Sequence, residues 1–152
     1  MRGGGGGLFA ALLLAALVPA RAASQATQAD ESPLVIDYRN AEWGPPGTTP
    51  RFPQGVQTAQ LGTDPDNGGP TYLARFPAGS HFDLHWHTNG EHVVVLQGAL
   101  TLVLGDETHR LTPGTYVVIP ERMHHSWDVP AGGEDAVILV RRRGPADFNF
   151  VD

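Results

Sequence analysis

The chain has 152 residues, with 16 acidic residues against 10 basic ones, all of them arginine, and a formal net charge of −6. An acidic chain of this length corresponds to one domain and has no general electrostatic attraction for nucleic acids or anionic membranes. Cysteine is absent, which excludes disulfides, thiolate nucleophiles and thiolate metal sites.

Residues 1–22 have the pattern of a secretory signal peptide. A positively charged start is followed by an apolar run from Leu8 to Val18 and by an Ala-x-Ala cleavage pattern that ends at Ala22. As a helix the run would span about 16 Å, against about 30 Å for a bilayer core, which favours a removable peptide over stable membrane insertion. We therefore expect an exported protein, periplasmic or secreted. Loss of Arg2 and Arg21 leaves 8 basic and 16 acidic residues, a net charge of −8.

Residues 23–70 are expected to form an N-terminal arm and an irregular segment. Residues 23–33 are small and polar, as in a flexible arm, and residues 34–38 could form a short strand. Residues 42–53 contain four prolines and two glycines, so regular structure is not expected there. Residues 64–70 are rich in turn-forming side chains and are predicted to be a loop.

From residue 71 onward, short runs rich in Val, Leu, Thr and aromatic residues alternate with turn signals. Strands at this spacing, without a helical period between them, indicate an all-β sandwich or barrel over residues 71–152. The predicted strands are Thr71–Phe76, His81–His87, Glu91–Leu96, Ala99–Leu104, Thr115–Ile119 and Ala136–Arg142.

Two histidines and a glutamate flank the turn between the second and third of these strands. His85 and His87 are two residues apart, so their side chains leave the same face of a strand. Glu91 opens the next strand, which brings two imidazoles and one carboxylate around a single point that can hold a divalent transition metal. Because Glu91 begins an apolar strand, we expect its carboxylate to be buried, where a bound cation would offset the cost of desolvation.

The spacing around these residues resembles the first signature of the cupin superfamily. The matching positions are Gly79, His85, His87, Glu91 and Gly98. The strand pattern extends the likeness over residues 71–142, and residues 144–152 resemble the ends of small, exported, single-domain cupins of unassigned activity. The resemblance implies a jelly-roll barrel, or double-stranded β-helix, preceded by the signal peptide and the irregular arm. Cupins are commonly dimers, so a homodimer is expected, with the segment around Trp43 as a candidate contact.

The second cupin signature is matched in part. The matching residues are Gly114, Pro120 and His125. Arg122 stands where the family usually has glycine and Val129 where it has asparagine, so the turn before His125 is expected to differ in detail. The metal ligands implied by the resemblance are His85, His87, Glu91 and His125. Three imidazoles and a carboxylate suit divalent Fe, Mn, Ni, Co, Cu or Zn. His124 is the alternative to His125 as a ligand.

Four further residues are candidates for the lining of a pocket beside the metal. They are His81, Tyr116, Met123 and Trp127. On a regular strand, His81 would share the face of His85 and His87 and would lie at the mouth of the barrel. By the same reasoning, Trp127 would share the face of His125.

Three functions are consistent with these features. The favoured hypothesis is a metal-dependent enzyme acting on a small molecule, an oxygenase of a phenolic or enolic compound or, second to that, an isomerase, because four protein ligands leave open positions on an octahedral ion. The alternative is a non-catalytic cupin module that binds a small ligand or a metal. The third is a purely structural β-barrel. Fold and ligand set serve many chemistries, so neither the metal nor the substrate follows from them.

Overall fold

The computed structural model describes residues 33–152, so the predicted signal peptide and most of the arm lie outside the described residues. Within this range the chain forms ten strands and one 3₁₀ turn, Tyr38–Asn40. The strands are β1 Gln57–Thr63, β2 Pro70–Phe76, β3 His81–Trp86, β4 Glu91–Gln97, β5 Leu100–Leu104, β6 Glu107–Leu111, β7 Tyr116–Ile119, β8 His125–Asp128, β9 Ala136–Arg142 and β10 Asn149–Phe150. In this part of the chain, no helix has the length and hydropathy that crossing a bilayer requires.

The strands pair into two five-stranded antiparallel sheets. Their orders are β1-β2-β9-β4-β7 and β10-β3-β8-β5-β6. The strands alternate between buried and more exposed residues, as in β4, where Glu91, Val93 and Val95 are buried and the residues between them are less so. The buried faces enclose an apolar core that includes Leu100 and Leu102. The predicted all-β jelly-roll architecture is confirmed.

All six predicted strands occur, with ends within one residue of those expected. Four strands had no clear sequence signal because they are short or mostly polar: β1, β6, β8 and β10. β1 lies in the segment expected to be irregular, and a bulge between Gln60 and Gly62 interrupts its pairing with β2. Residues 34–38, expected to form a strand, do not: residues 34–36 are exposed and unpaired within the described chain, and the 3₁₀ turn begins at Tyr38.

The C-terminal tail, residues 144–152, folds back across β3. Its strand β10 pairs antiparallel with β3, with Asn149 opposite Trp86 and Phe150 opposite His85. Gly144 allows the tail to approach, because a Cβ atom there would lie 2.5 Å from the side chain of Asn89. The tail thereby reaches the part of β3 that carries His85, next to His87.

Candidate metal centre

Three histidines converge at one end of the space between the sheets. His85 lies in β3, His87 directly follows β3, and His125 begins β8, where it is paired with His85. All three are at most 3% exposed. Each offers a ring nitrogen within 4.8 Å of the other two. The structure therefore brings together the three imidazoles that the cupin resemblance implies.

Hydrogen bonds to main-chain carbonyls orient the three rings. The Nδ1 atoms of His85, His87 and His125 donate to the carbonyl oxygens of Asp83, Asp147 and Met123 at 2.6, 2.6 and 2.9 Å. A carbonyl can only accept, so each Nδ1 carries the proton and each Nε2 presents a lone pair. In the described chain, Nε2 of His85 and of His125 has no hydrogen-bond partner. Lone pairs that are buried, convergent and without partners fit a divalent metal bound by imidazole.

Glu91 lies at the edge of the histidine cluster, at the start of β4. Its Oε1 is 3.5 Å from Nε2 of His87 and 3.5 Å from Nε2 of His125. Its Oε2 is 3.2 Å from Nε of Arg142. Burial opposes ionisation of this carboxyl, but the positive charge of Arg142 favours it, and the pKa of Glu91 is held well below its ordinary value. The carboxylate thus has one oxygen directed to the cluster and the other held by arginine.

Arg142 is the site residue that the sequence reasoning missed. It ends β9, is paired in register with Glu91, and is only 2% exposed. The sequence predicts that a bound metal offsets the buried charge of Glu91, whereas the structure shows that a guanidinium already does so. Strand alternation could have identified Arg142 as buried, because Ile138 and Val140 are buried and Arg142 continues their alternation.

His85 is held in its neutral form. Burial and the electrostatic effect of His125 lower the pKa of His85 to about 3, although the hydrogen bond with Asp83 opposes the shift. The ring of Phe82 stacks on the imidazole with centroids 4.1 Å apart. A neutral imidazole at physiological pH can coordinate a metal without first losing a proton.

A cavity of about 280 Å³ opens onto the histidine cluster. Its walls are mainly apolar, and its aromatic side chains, apart from the histidines, are Phe52, Tyr72, Phe76, Phe82, Trp127 and Phe148. The polar atoms of His85, His87, Glu91 and Arg142 are gathered at its floor, and β1 adds Thr58 and Gln60. Trp127, one of the predicted pocket residues, lies in this wall. The arrangement suits a small ligand with one polar end.

His81, a second pocket candidate, lies outside the cavity because β3 is not a regular strand. A bulge between Phe82 and His85 shifts the pairing of β3 with β8. Phe82 and His85, three residues apart, therefore both face inward, and His81 faces solvent. There its Nδ1 lies 2.7 Å from a carboxylate oxygen of Asp128. Because the bulge interrupts the alternation of side chains, counting every second residue across it assigns His81 to the wrong face of the strand.

The other two pocket candidates also lie on the outer surface. Tyr116, in β7, is 58% exposed, and its hydroxyl contacts the ring of His92. Met123 is exposed beside Gly105. His124, the alternative ligand, is exposed as well, because it precedes the inward-facing first residue of β8.

Arg122 replaces the usual glycine but keeps a glycine-like backbone. Its φ of 59° lies in the left-handed region. Its main-chain N–H donates to the carbonyl of His87 at 2.8 Å, which ties the turn before β8 to the end of β3. The substitution therefore preserves the path of the chain into His125.

Several solved structures share this fold. The chain is similar to a cupin 2 conserved barrel domain protein from Rhodopseudomonas palustris, with 17% identity, a TM-score of 0.63 and coverage of 74% of this chain and 79% of that one. The chain is also similar to the polyketide cyclase RemF from Streptomyces resistomycificus, with 17% identity, a TM-score of 0.64 and coverage of 80% of this chain and 87% of that one. A chain from crystal structures of DMSP lyases has 18% identity and a TM-score of 0.59, with coverage of 74% of this chain and 63% of that one. At these identities the likeness shows the fold alone.

Sequence comparison identifies the family. No curated protein sequence matches the chain significantly. The family model of the ChrR cupin-like domain matches residues 31–147, which is most of the chain. The match includes the histidine cluster, Glu91 and Arg142 and extends upstream of β1. The chain therefore belongs to the ChrR cupin-like domain family of the cupin superfamily.

Proposed function

We propose that this protein is a metal-dependent cupin that binds one divalent transition metal and acts on a small molecule in the cavity. The observation that carries the proposal is the convergence of three buried, oriented imidazoles, two of them with Nε2 atoms that lack a partner in residues 33–152. Such a cluster at the floor of an apolar cavity is the arrangement of an open metal site.

His85, His87 and His125 would hold the metal, with Oε1 of Glu91 close enough to two of the imidazoles to serve as a fourth donor. When bound, a divalent metal supplies Lewis acidity toward a substrate oxygen, or redox chemistry with dioxygen. Arg142 keeps Glu91 ionised, so this carboxylate stays available as a negatively charged donor to the metal. The apolar walls exclude water and strengthen these electrostatic interactions.

Oxygenase chemistry on a phenolic or enolic compound is our leading proposal for the reaction, with isomerisation second. The similar structures named for a polyketide cyclase and for DMSP lyases support small-molecule chemistry on this fold. The N-terminal pattern supports export, in which case the metal would be acquired outside the cytoplasm, and the cupin resemblance supports a homodimer.

A non-catalytic binding module is the second candidate. The acidic group at the cavity floor, Glu91, forms an ion pair with Arg142. This ion pair favours the binding module, because it occupies the acidic group that a reaction could otherwise use. In such a module the cavity would bind its ligand without converting it.

Metal content is the first test. Protein purified from the exported fraction and analysed for metals should contain about one divalent transition metal per chain. His125→Ala should abolish this content, whereas His124→Ala, a matched change of the exposed neighbour, should retain it. Equal metal content in the two variants would contradict the proposed site.

Turnover is the second test. Oxygen consumption by Fe(II)- or Ni(II)-loaded protein, measured against a panel of phenols and diketones, should identify a substrate whose conversion is lost in His125→Ala. A compound that raises the melting temperature but is never converted would favour the binding module.

A further inference from the structure

We propose that the cavity selects a small monoanion with a flat apolar body, and that Arg142 is the positioning residue that receives its anionic oxygen. The inference rests on the proposed function and names its substrate class. It follows from an unpaired donor, from the charges at the cavity floor and from the shape of the aromatic wall.

The unpaired donor is Nη1 of Arg142. The guanidinium lies with Nε 3.2 Å from Oε2 of Glu91, and its Nη2 donates to the hydroxyl of Tyr72 at 3.4 Å. Nη1 is buried and has no hydrogen-bond partner in the described chain, and Nε has only its ion-pair contact with Glu91. A buried charged donor without an acceptor is unfavourable, so a ligand that brings an acceptor to this side chain, which lines the cavity, gains from the contact.

The charges at the floor favour an anion. The negative charge of Glu91 and the positive charge of Arg142 offset each other. Among the described residues that line the cavity, no other aspartate, glutamate, lysine or arginine occurs. A divalent metal among the three imidazoles would therefore leave the floor with a net positive charge in an apolar surrounding, where electrostatic attraction is strong. An anionic ligand is favoured over a neutral or cationic one of equal shape.

The aromatic wall determines the shape of the rest of the ligand. The ring of Phe148 lies 5.1 Å from the Arg142 guanidinium and 5.0 Å from the His87 ring. The ring of Phe52 lies 4.9 Å from that of Phe148 and 5.1 Å from that of Phe82. A flat apolar group attached to the anionic head would contact these rings. At about 280 Å³ the cavity lies near the lower limit of roughly 300–1,000 Å³ for small-molecule sites, so the ligand is small.

Benzoate and its neutral isostere benzamide test the proposal. Titration calorimetry of the Zn(II)-loaded protein should show benzoate binding at least tenfold more tightly than benzamide. Metal-free protein should keep a smaller preference of the same sign, because Nη1 of Arg142 is present without the metal. Equal affinities for the two probes, or no benzoate binding at millimolar concentration, would overturn the proposal.

Substitutions at Arg142, Arg141 and Phe148 test where the preference for benzoate originates. Arg142→Gln should remove it, whereas Arg141→Gln, a matched change of the exposed neighbour, should retain it. If Arg142→Gln does not fold, the doubly neutral Glu91→Gln/Arg142→Gln protein serves instead. Phe148→Leu, a change at the partly exposed ring, should weaken binding of both probes alike and leave their ratio unchanged. A ratio that survives the loss of Arg142 would contradict its role.

The outcome is separable from that of the proposed function. A protein that never acquires a metal but shows an Arg142-dependent benzoate preference would refute the proposed function and leave this inference intact. A protein that binds metal at the three histidines but does not prefer benzoate would refute this inference alone.

Discussion

The contact between Glu91 and Arg142 governs the electrostatics of the candidate site at the level of single residues. Both side chains are buried, and each offsets the charge of the other. A pair of this kind contributes little net stability, because desolvation opposes the attraction, but removing one partner exposes the full cost of the remaining charge. The pair therefore fixes the ionisation state of Glu91 whether or not a metal is bound.

Loss of the arginine is expected to be strongly destabilising. Arg142→Gln leaves the Glu91 carboxylate without its cation, and the free energy of unfolding of the metal-free protein should fall by about 3–5 kcal/mol, as measured by urea denaturation. Arg141→Gln removes an exposed ion pair with Asp64 and should cost less than about 1 kcal/mol. Similar losses in the two variants would show that the buried pair has no special role.

The lowered pKa of His85 predicts acid sensitivity of the metal-free protein. In the unfolded chain this histidine binds a proton near pH 6.5, whereas in the fold its pKa is about 3. The unfolded state therefore takes up the proton first. Stability is fully present above pH 6.5 and is lost toward pH 3, by at most about 1.4 kcal/mol per pH unit for this group. Glu91, whose pKa is also lowered, adds a loss of the same sign below pH 4.5.

Urea denaturation at pH 7, 6 and 5 checks this expectation. The wild-type midpoint should fall with pH, and the fall should be smaller in His85→Gln, which cannot take up the proton. A midpoint that rises on acidification, or the same pH dependence in both proteins, would contradict the assignment.

At the level of secondary-structure elements, β3 shows which side-chain orientations strand alternation predicts correctly and which it does not. The two-residue spacing of His85 and His87 placed both imidazoles on one face, and in the structure both belong to the buried cluster. The same reasoning placed His81 on that face and was wrong, because a bulge between Phe82 and His85 reverses the parity. A bulge has no reliable sequence signal here, since neither residue within it, Asp83 nor Leu84, is a glycine.

The other strands also differ in whether the sequence predicts them. Long apolar strands such as β4 and β9 were predictable, because their hydrophobic runs are bounded by turn residues. β1 was not, because it is mostly polar: Thr58 and Gln60 line the cavity but remain exposed, and only Ala59 is buried. Arg142 was missed, although strand alternation assigns only the middle one of the three consecutive arginines at 141–143 to the interior.

The backbone conformation of Arg122, in the turn before β8, predicts that glycine is tolerated at this position. Arg122 occupies a left-handed conformation, which costs a non-glycine residue about 1–2 kcal/mol, while glycine loses about 0.5–1 kcal/mol through the entropy of the unfolded chain. Arg122→Gly should therefore leave the free energy of unfolding unchanged or raise it by up to about 1.5 kcal/mol. Arg122→Val, which is branched at Cβ, should lower it by more than about 1 kcal/mol in the same urea titration.

The C-terminal tail predicts a dependence of the metal site on residues outside the barrel strands. The carbonyl of Asp147 accepts the Nδ1 hydrogen bond of His87, and its carboxylate accepts from the main-chain N–H of Thr88 at 3.0 Å. Deletion of residues 145–152 removes this support and should weaken zinc affinity by about 10- to 100-fold in competition with a chelator. Deletion of Asp152 alone keeps β10 and should have little effect; equal losses would argue against a positioning role for the tail.

For the whole molecule, the two sheets share the candidate site. His85 and His125 belong to one sheet, while Glu91 and Arg142 belong to the other. A ligand that binds only the folded state stabilises it by mass action, by about 2.7 kcal/mol when present at a hundred times its dissociation constant. Saturating zinc should therefore raise the melting temperature of the wild-type protein, and EDTA should reverse the rise. His125→Ala should show no such response, and a rise of equal size in that variant would place the zinc elsewhere.

The return of the tail over β3 has a kinetic consequence. His87 obtains its orienting carbonyl from Asp147, 60 residues further along the chain. During refolding we therefore expect the ring of His87 to reach its final orientation only after the tail has docked on β3. The rate of zinc uptake by refolding protein would then report the docking of the tail.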